Sequence, residues 1–136
     1  MPAEIFFDSS VVVYVLKKAD PRAEIAERLL FAGGYLSVQV LNEFVNVAHR
    51  KLKMDWASIA ESLEGLRDLC PPAVGLTVST HEAAVKIAKR YGFHIYDSLI
   101  LASAIETGCT VLYSEDMQHG QRIGSLTIQN PFLKKS

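Results

Sequence analysis

The sequence predicts a three-layer α/β/α domain with a short central parallel sheet of four or five strands, and three observations carry that expectation. Ile5-Phe6-Phe7 and Val111-Leu112-Tyr113 are short and apolar at every position, as strands covered on both faces must be. These strand candidates alternate with longer segments that carry helix caps, which is the pattern of a parallel sheet wrapped in helices. At 136 residues and 49% hydrophobic the chain has enough apolar surface for one core, so residues 1–136 are read as a single domain.

In chain order, Glu4 to Asp8 reads as a buried strand, after which Ser9 and Ser10 cap a helix of Val11 to Lys17. Asp20 followed by Pro21 gives an N-cap and first-turn pair for a helix from about Arg22 to Phe31, closed by Gly33-Gly34. Tyr35 to Ser37 is a very short strand, and Ser37 caps a helix reaching about Lys53. Asp55 starts another helix, which ends before Cys70-Pro71-Pro72. Val74 to Val78 is a strand candidate, Ser79 or Thr80 caps the next helix, and Gly92 stops it near Tyr91. A helix from Tyr96 or Asp97 to Thr107 ends at Gly108. Thr110 to Ser114 is a strand, and Leu126 to Ile128 a last edge strand.

The bulk numbers narrow the function. A net charge of −1 gives no overall attraction to polyanions, so any nucleic-acid contact must come from local basic patches. Cys70 and Cys109 are far apart and form no CxxC pair, which argues against zinc and suits a reducing, cytoplasmic setting. Asp8, Ser9 and Ser10 interrupt the apolar N-terminal stretch, so neither a signal peptide nor a membrane span is expected.

Four acids stand in apolar surroundings. Asp8 closes Ile5-Phe6-Phe7, Glu43 lies within Val40-Leu41-Asn42-Glu43-Phe44-Val45, Asp97 opens the stretch Leu99 to Ile105, and Asp116 follows Val111 to Ser114. Acidic side chains are rarely buried unless they are paired or bind a metal. Asp8 and Asp116 follow strands, hence fall on the carboxyl rim where open α/β sheets bind ligands. Asp97 shares a helical stripe with Leu101, Ala104 and Ile105, and Glu43 lies between Val40 and Val47, so both should face inward.

Clustering them has an energetic consequence. Two carboxylates about 5 Å apart repel by roughly 3 kcal/mol at an effective dielectric of about 20. Full ionisation of the group would therefore cost on the order of 10 kcal/mol, comparable with the whole stability of a domain. A divalent cation is the economical relief, and an all-oxygen ligand set selects Mg²⁺, with Mn²⁺ as a substitute. Such a site suits phosphodiester hydrolysis by activated water. Asp8 and Asp97 are the expected direct ligands; Glu43 and Asp116 ligate directly, ligate through water, or orient the attacking water.

Phe7-Asp8-Ser9-Ser10, Val40-Leu41-Asn42-Glu43-Phe44, Tyr96-Asp97-Ser98-Leu99-Ile100 and Ser114-Glu115-Asp116 together resemble the four acidic motifs of PIN-domain ribonucleases. Order, spacing and size are most similar to the VapC-type toxins of toxin–antitoxin systems. The similarity includes Arg50-Lys51-Leu52 and Asn130-Pro131-Phe132. The resemblance implies a Mg²⁺-dependent endoribonuclease, dimeric, acting on RNA and held inactive by a small antitoxin. It also implies supporting roles for Ser10 and Ser114, where many members carry Asn and Thr.

Each residue has a plainer reading as well. Asp8 and Asp97 would serve as helix N-caps, and Glu43 would pair with Arg50 or Lys51. Glu115 competes with Asp116 for the fourth position. His119 invites a metal or acid–base role but reads more simply as a surface or supporting group. His49, His81 and His94 read as structural. The clusters His49-Arg50-Lys51-Lys53 and Lys86-Lys89-Arg90 are phosphate-contact candidates or solvated helix faces. Trp56 and Tyr14 are base-stacking or packing residues. Leu29, Leu30 and Phe31 with Val11 to Val15 suggest a partner or dimer surface. Two other catalytic folds are disfavoured. A haloacid-dehalogenase type needs an Asp where Ser10 stands, and a receiver module needs a lysine after the late strand that here continues Ser-Glu-Asp. The alternative from another class is a non-catalytic PIN-like RNA-binding module.

Overall fold

The computed structural model describes residues 4–133. Three short parallel strands form the spine: β1 (Ile5–Phe7), β2 (Val111–Tyr113) and β4 (Leu126–Gln129), with β3 (Arg122–Ile123) antiparallel beside β4, in the order β1-β2-β4-β3. On the other side of β1, Tyr35 makes a parallel bridge to Phe6, and Ser37 makes one to Val74, so two single-residue bridges extend the sheet in the parallel sense.

Consecutive strand residues point to opposite faces, and Phe6 and Phe7 are both fully buried, as is Leu112. Both faces of the sheet are therefore covered, which is the layered α/β architecture expected from the apolar runs. The sheet is mixed rather than parallel throughout. Leu126 to Ile128 lies inside it, because Arg122–Ile123, joined to it by a turn at Gly124 (φ 61), adds an outer strand. Two residues leave no alternation to read, so this strand was invisible in the sequence.

Among the described residues six α-helices surround the sheet: α1 (Ser9–Val12, continued as a 3₁₀ turn to Leu16), α2 (Pro21–Ala32), α3 (Val38–Asn46), α4 (Trp56–Leu69), α5 (Val78–Tyr91) and α6 (Ile95–Glu106). Asp20, Ser37 and Asp55 cap their helices through their side chains, as their positions predict. Thr77, not Ser79 or Thr80, caps α5: its Oγ1 accepts from the Thr80 backbone amide, and the Thr80 hydroxyl donates to Glu106. The predicted strand at 74–78 thus shrinks to the bridge at Val74. α3 does not run unbroken to Lys53; a π-helical turn follows at Val47–Lys51.

α6 is buried along most of its length, through Ser98 and Ile100 to Ala104, and packs on α3 and α5. None of the described helices is long and apolar enough to cross a membrane. Cys70 and Cys109 are buried free thiols.

Candidate active site

β1 and β2 are adjacent and in register, Phe7 opposite Tyr113, so the residues that follow them emerge side by side. The Asp8 amide donates to the Tyr113 carbonyl at 2.9 Å, fixing Asp8 next to Ser114 on the carboxyl rim. Asp8 occupies the cap position of α1 but its side chain caps nothing. Its Oδ2 instead accepts from the Ser10 hydroxyl at 2.6 Å and the Ser114 hydroxyl at 2.9 Å. Each hydroxyl is held in turn: Ser10 Oγ accepts from the Glu115 amide and Ser114 Oγ from the Met117 amide. The supporting positions implied by the resemblance are thus occupied by working hydrogen-bond donors.

Asp8 is 2% exposed, and its second oxygen, Oδ1, is buried with no partner. Burial raises its pKa to about 6 against the lowering effect of the two hydroxyls, with repulsion from Asp97 and Glu43 adding to the rise. Asp97 is also raised, first by desolvation and then by repulsion from Glu43 and Asp116, with His94 opposing. The four acids are therefore electrostatic neighbours, linked Asp8 to Glu43 and Asp97, and Asp97 to Asp116.

Asp97 is not the cap of α6. That role falls to His94, whose ring nitrogen accepts from the Tyr96 amide, leaving Asp97 half-buried in the first turn. Glu43 makes no ion pair with Arg50 or Lys51 among the described residues. It accepts from Ser9 (2.6 Å) and from Gln39 (2.9 Å), one helical turn before it. Gln39 was not singled out in the sequence, although its i−4 spacing was the available signal, and Ser9 was read there only as a cap and motif residue.

Glu115 and Asp116 part company. Glu115 accepts from the Tyr14 hydroxyl and from Arg22 (2.9 Å), whose guanidinium also grips Asp20 and lies 4.4 Å from the Tyr14 ring centre. Asp116 is exposed and has none of these partners, whereas Glu115, which also borders the cleft, is held by Arg22 and Tyr14. Tyr14 is 6% exposed, packs edge-on against Phe132, and is no base-stacking platform. His119 accepts from the Asn130 amide through Nδ1, which makes it an anchor for the C-terminal segment.

A cleft of about 360 Å³ opens over this rim. Ser10, Glu43, Glu115 and Asp116 line it, together with the cations Lys17 and Lys51. Asp8 joins it through Ser10. Among the described residues no three His, Cys, Asp or Glu side chains stand close enough together to form a ready ligand cage. Mg²⁺ takes oxygen ligands, keeps several waters and uses one or two carboxylates directly. The unpaired Asp8 Oδ1 and the all-oxygen donor set fit such an ion.

The expected partner surface is divided. Val11, Val12 and Leu30 belong to the core, whereas Phe31 is 82% exposed at the edge of an apolar groove of about 580 Å³ that also takes in Val15, Leu16, Leu66 and Leu69.

The chain matches no curated protein. Among solved structures it is similar to the Mycobacterium tuberculosis toxin VapC20, described as cleaving the sarcin–ricin loop, with a TM-score of 0.68 and 22% identity over 83% of this chain and 90% of that one. It is also similar to VapBC2 from Rickettsia felis bound to a promoter DNA fragment, with a TM-score of 0.66 and 16% identity over 93% of this chain and 97% of that one. At these identities the likeness is one of fold. The PIN domain family model matches residues 5–122, most of the chain, and this protein is therefore a member of the PIN domain family.

Proposed function

We propose that this chain is a divalent-metal-dependent endoribonuclease, the toxin of a toxin–antitoxin pair. The observation that carries the reading is Asp8: a carboxylate buried at the rim with one oxygen unpaired, repelled by Asp97 and Glu43, and with no ion pair among the described residues. Asp8 and Asp97 are the ligands proposed for Mg²⁺ or Mn²⁺, with Glu43 and Asp116 completing the site directly or through water.

When bound, the ion supplies charge neutralisation for the acids and an acidified water for attack on phosphorus. The residues of the chain do the rest. Ser10 and Ser114 hold Asp8 Oδ2, which leaves Oδ1 as the free donor. Ser9 and Gln39 fix both oxygens of Glu43, so that acid is oriented before substrate arrives. Lys17 and Lys51 line the cleft along with Glu43 and Asp116 and are the proposed contacts for phosphates flanking the scissile one.

Support for a toxin comes from the two similar structures, both from VapC or VapBC systems. An antitoxin segment is the proposed occupant of the apolar groove beside Phe31, since that groove leaves a large aromatic ring uncovered. A homodimer and a cytoplasmic location belong to the same reading.

The test is cleavage of a structured RNA by purified protein with Mg²⁺, with Mn²⁺ and with EDTA. Activity in either metal and none in EDTA is expected. Cleavage that persists in EDTA would overturn the mechanism, and RNA binding with no cleavage in any metal would favour the non-catalytic module instead.

A further inference from the structure

Trp56 opens α4 with 61% of its surface exposed. It stacks on His49, ring centres 4.2 Å apart and planes 22° apart, and both rings sit beside the basic turn Arg50, Lys51 and Lys53. This arrangement is made by irregular backbone. The π-helical turn at Val47–Lys51 is followed by Lys53 at φ 56, the one non-glycine with positive φ among the described residues. π turns and left-handed non-glycine residues cost energy, and they concentrate at functional positions.

Burial does not repay that cost here, because the Trp56 side chain stays mostly in solvent. The three cations are exposed, and none pairs with a carboxylate among the described residues. Asp55, the nearest acid in the chain, is engaged as the cap of α4. The turn is also continuous with the acidic cleft, since Lys51 and Val47 line it.

Resting on the ribonuclease reading of that cleft, we propose that Trp56, backed by His49, is a stacking subsite for an unpaired RNA base next to the cleaved bond, with Arg50, Lys51 and Lys53 holding the adjoining phosphates. An aromatic face accepts any base that has left its helix, while cations spaced along the turn track the backbone of a single strand. A paired helix keeps its bases stacked on one another and offers the ring nothing. The substrate class is therefore RNA with a single-stranded or looped-out nucleotide at the cleavage point.

Trp56 is the only tryptophan in the chain, so its fluorescence reports this subsite alone. The full-length protein, in EDTA to prevent cleavage, is titrated with a short single-stranded RNA and with the same strand annealed to its complement. The single strand should quench emission and the duplex should not. By anisotropy of a labelled single strand, Trp56→Ala should weaken binding roughly tenfold and Trp56→Phe should restore most of it. Lys53→Ala should reduce the salt slope of binding by about 0.7. No quenching, equal quenching by duplex, or unchanged affinity of Trp56→Ala would overturn the subsite. So would a shift in oligomeric state of Trp56→Ala on size exclusion, which would make the ring a contact between copies of the chain. Metal-dependent cleavage without quenching removes only the subsite; quenching without cleavage in any metal removes only the nuclease reading.

Discussion

Asp8 and Glu115 stand at the ends of neighbouring parallel strands, joined by the Ser10 hydroxyl, yet the protein treats them in opposite ways. Glu115 is neutralised: Arg22 and the Tyr14 hydroxyl hold it, and the same Arg22 keeps Asp20 at a pKa of about 2. Asp8 receives only hydroxyls on one oxygen and nothing on the other, and burial lifts it to about 6. An arginine within reach of the rim is thus spent on the acid beside the site and withheld from the acid within it. On the proposed reading, Glu115, which has a protein cation, is structural, and Asp8, which has none among the described residues, awaits a cation from solution.

Four measurements break or sharpen that contrast. The largest effect should come from Asp8→Asn and Asp97→Asn, each lowering metal-dependent RNA cleavage by about 10²-fold or more, since each removes a proposed ligand charge. Wild-type activity in either variant would end the assignment.

The next effect is on stability without metal. Asp8 has a folded pKa above its ordinary value, so the folded state holds its proton longer than the unfolded chain does. Its contribution is intact below about pH 4 and is lost as pH rises through about 6, a change on the order of 3 kcal/mol. At pH 8 in EDTA, Asp8→Asn should melt roughly 5 °C above wild type, the buried amide offsetting part of the gain. Millimolar Mg²⁺ should raise the wild-type melting temperature and leave the variant unmoved. A melting temperature for Asp8→Asn at or below wild type would show that the ionised carboxylate is not a burden.

A smaller effect separates the adjacent acids. Asp116→Asn should lower cleavage about tenfold, while Glu115→Gln, which loses only a contact to Arg22 and Tyr14, should stay within about threefold of wild type. The reverse order would exchange their roles. Smallest of all is Arg22→Ala. Partly exposed ion pairs contribute little stability, so its consequence is positional, a loss of about threefold in activity as the Glu115 backbone loosens behind Ser10. No change in activity would mean that the Ser10 contact alone holds the segment.

Much of this was legible before the fold was seen. Caps at Asp20, Ser37 and Asp55 are legible because a cap depends on residues two or three apart. The α5 start was misplaced for the same kind of reason: two threonines and a serine compete locally, and the choice of Thr77 is sealed by Thr80 donating to Glu106, far along the chain. β3 was missed because two residues have no period. The four acids stand out in the sequence because each contradicts its apolar neighbours, a signal that needs no partner to be seen. Gln39 and Arg22 were overlooked since a polar residue on a helix draws no notice until its target is known.

The sequence by itself determined the alternation of apolar strands and capped helices, and with it a rim carrying Asp8 and Asp116. Hydrophobic periodicity and caps are local properties, written within one turn or one strand. Only the tertiary structure decided that Asp8 would lack a counter-ion while Glu115 would have one, that Trp56 would fold back onto His49, and that β4 would be interior. Those outcomes depend on which distant side chains meet, and charge, stacking and strand order have no meaning until the chain has closed on itself.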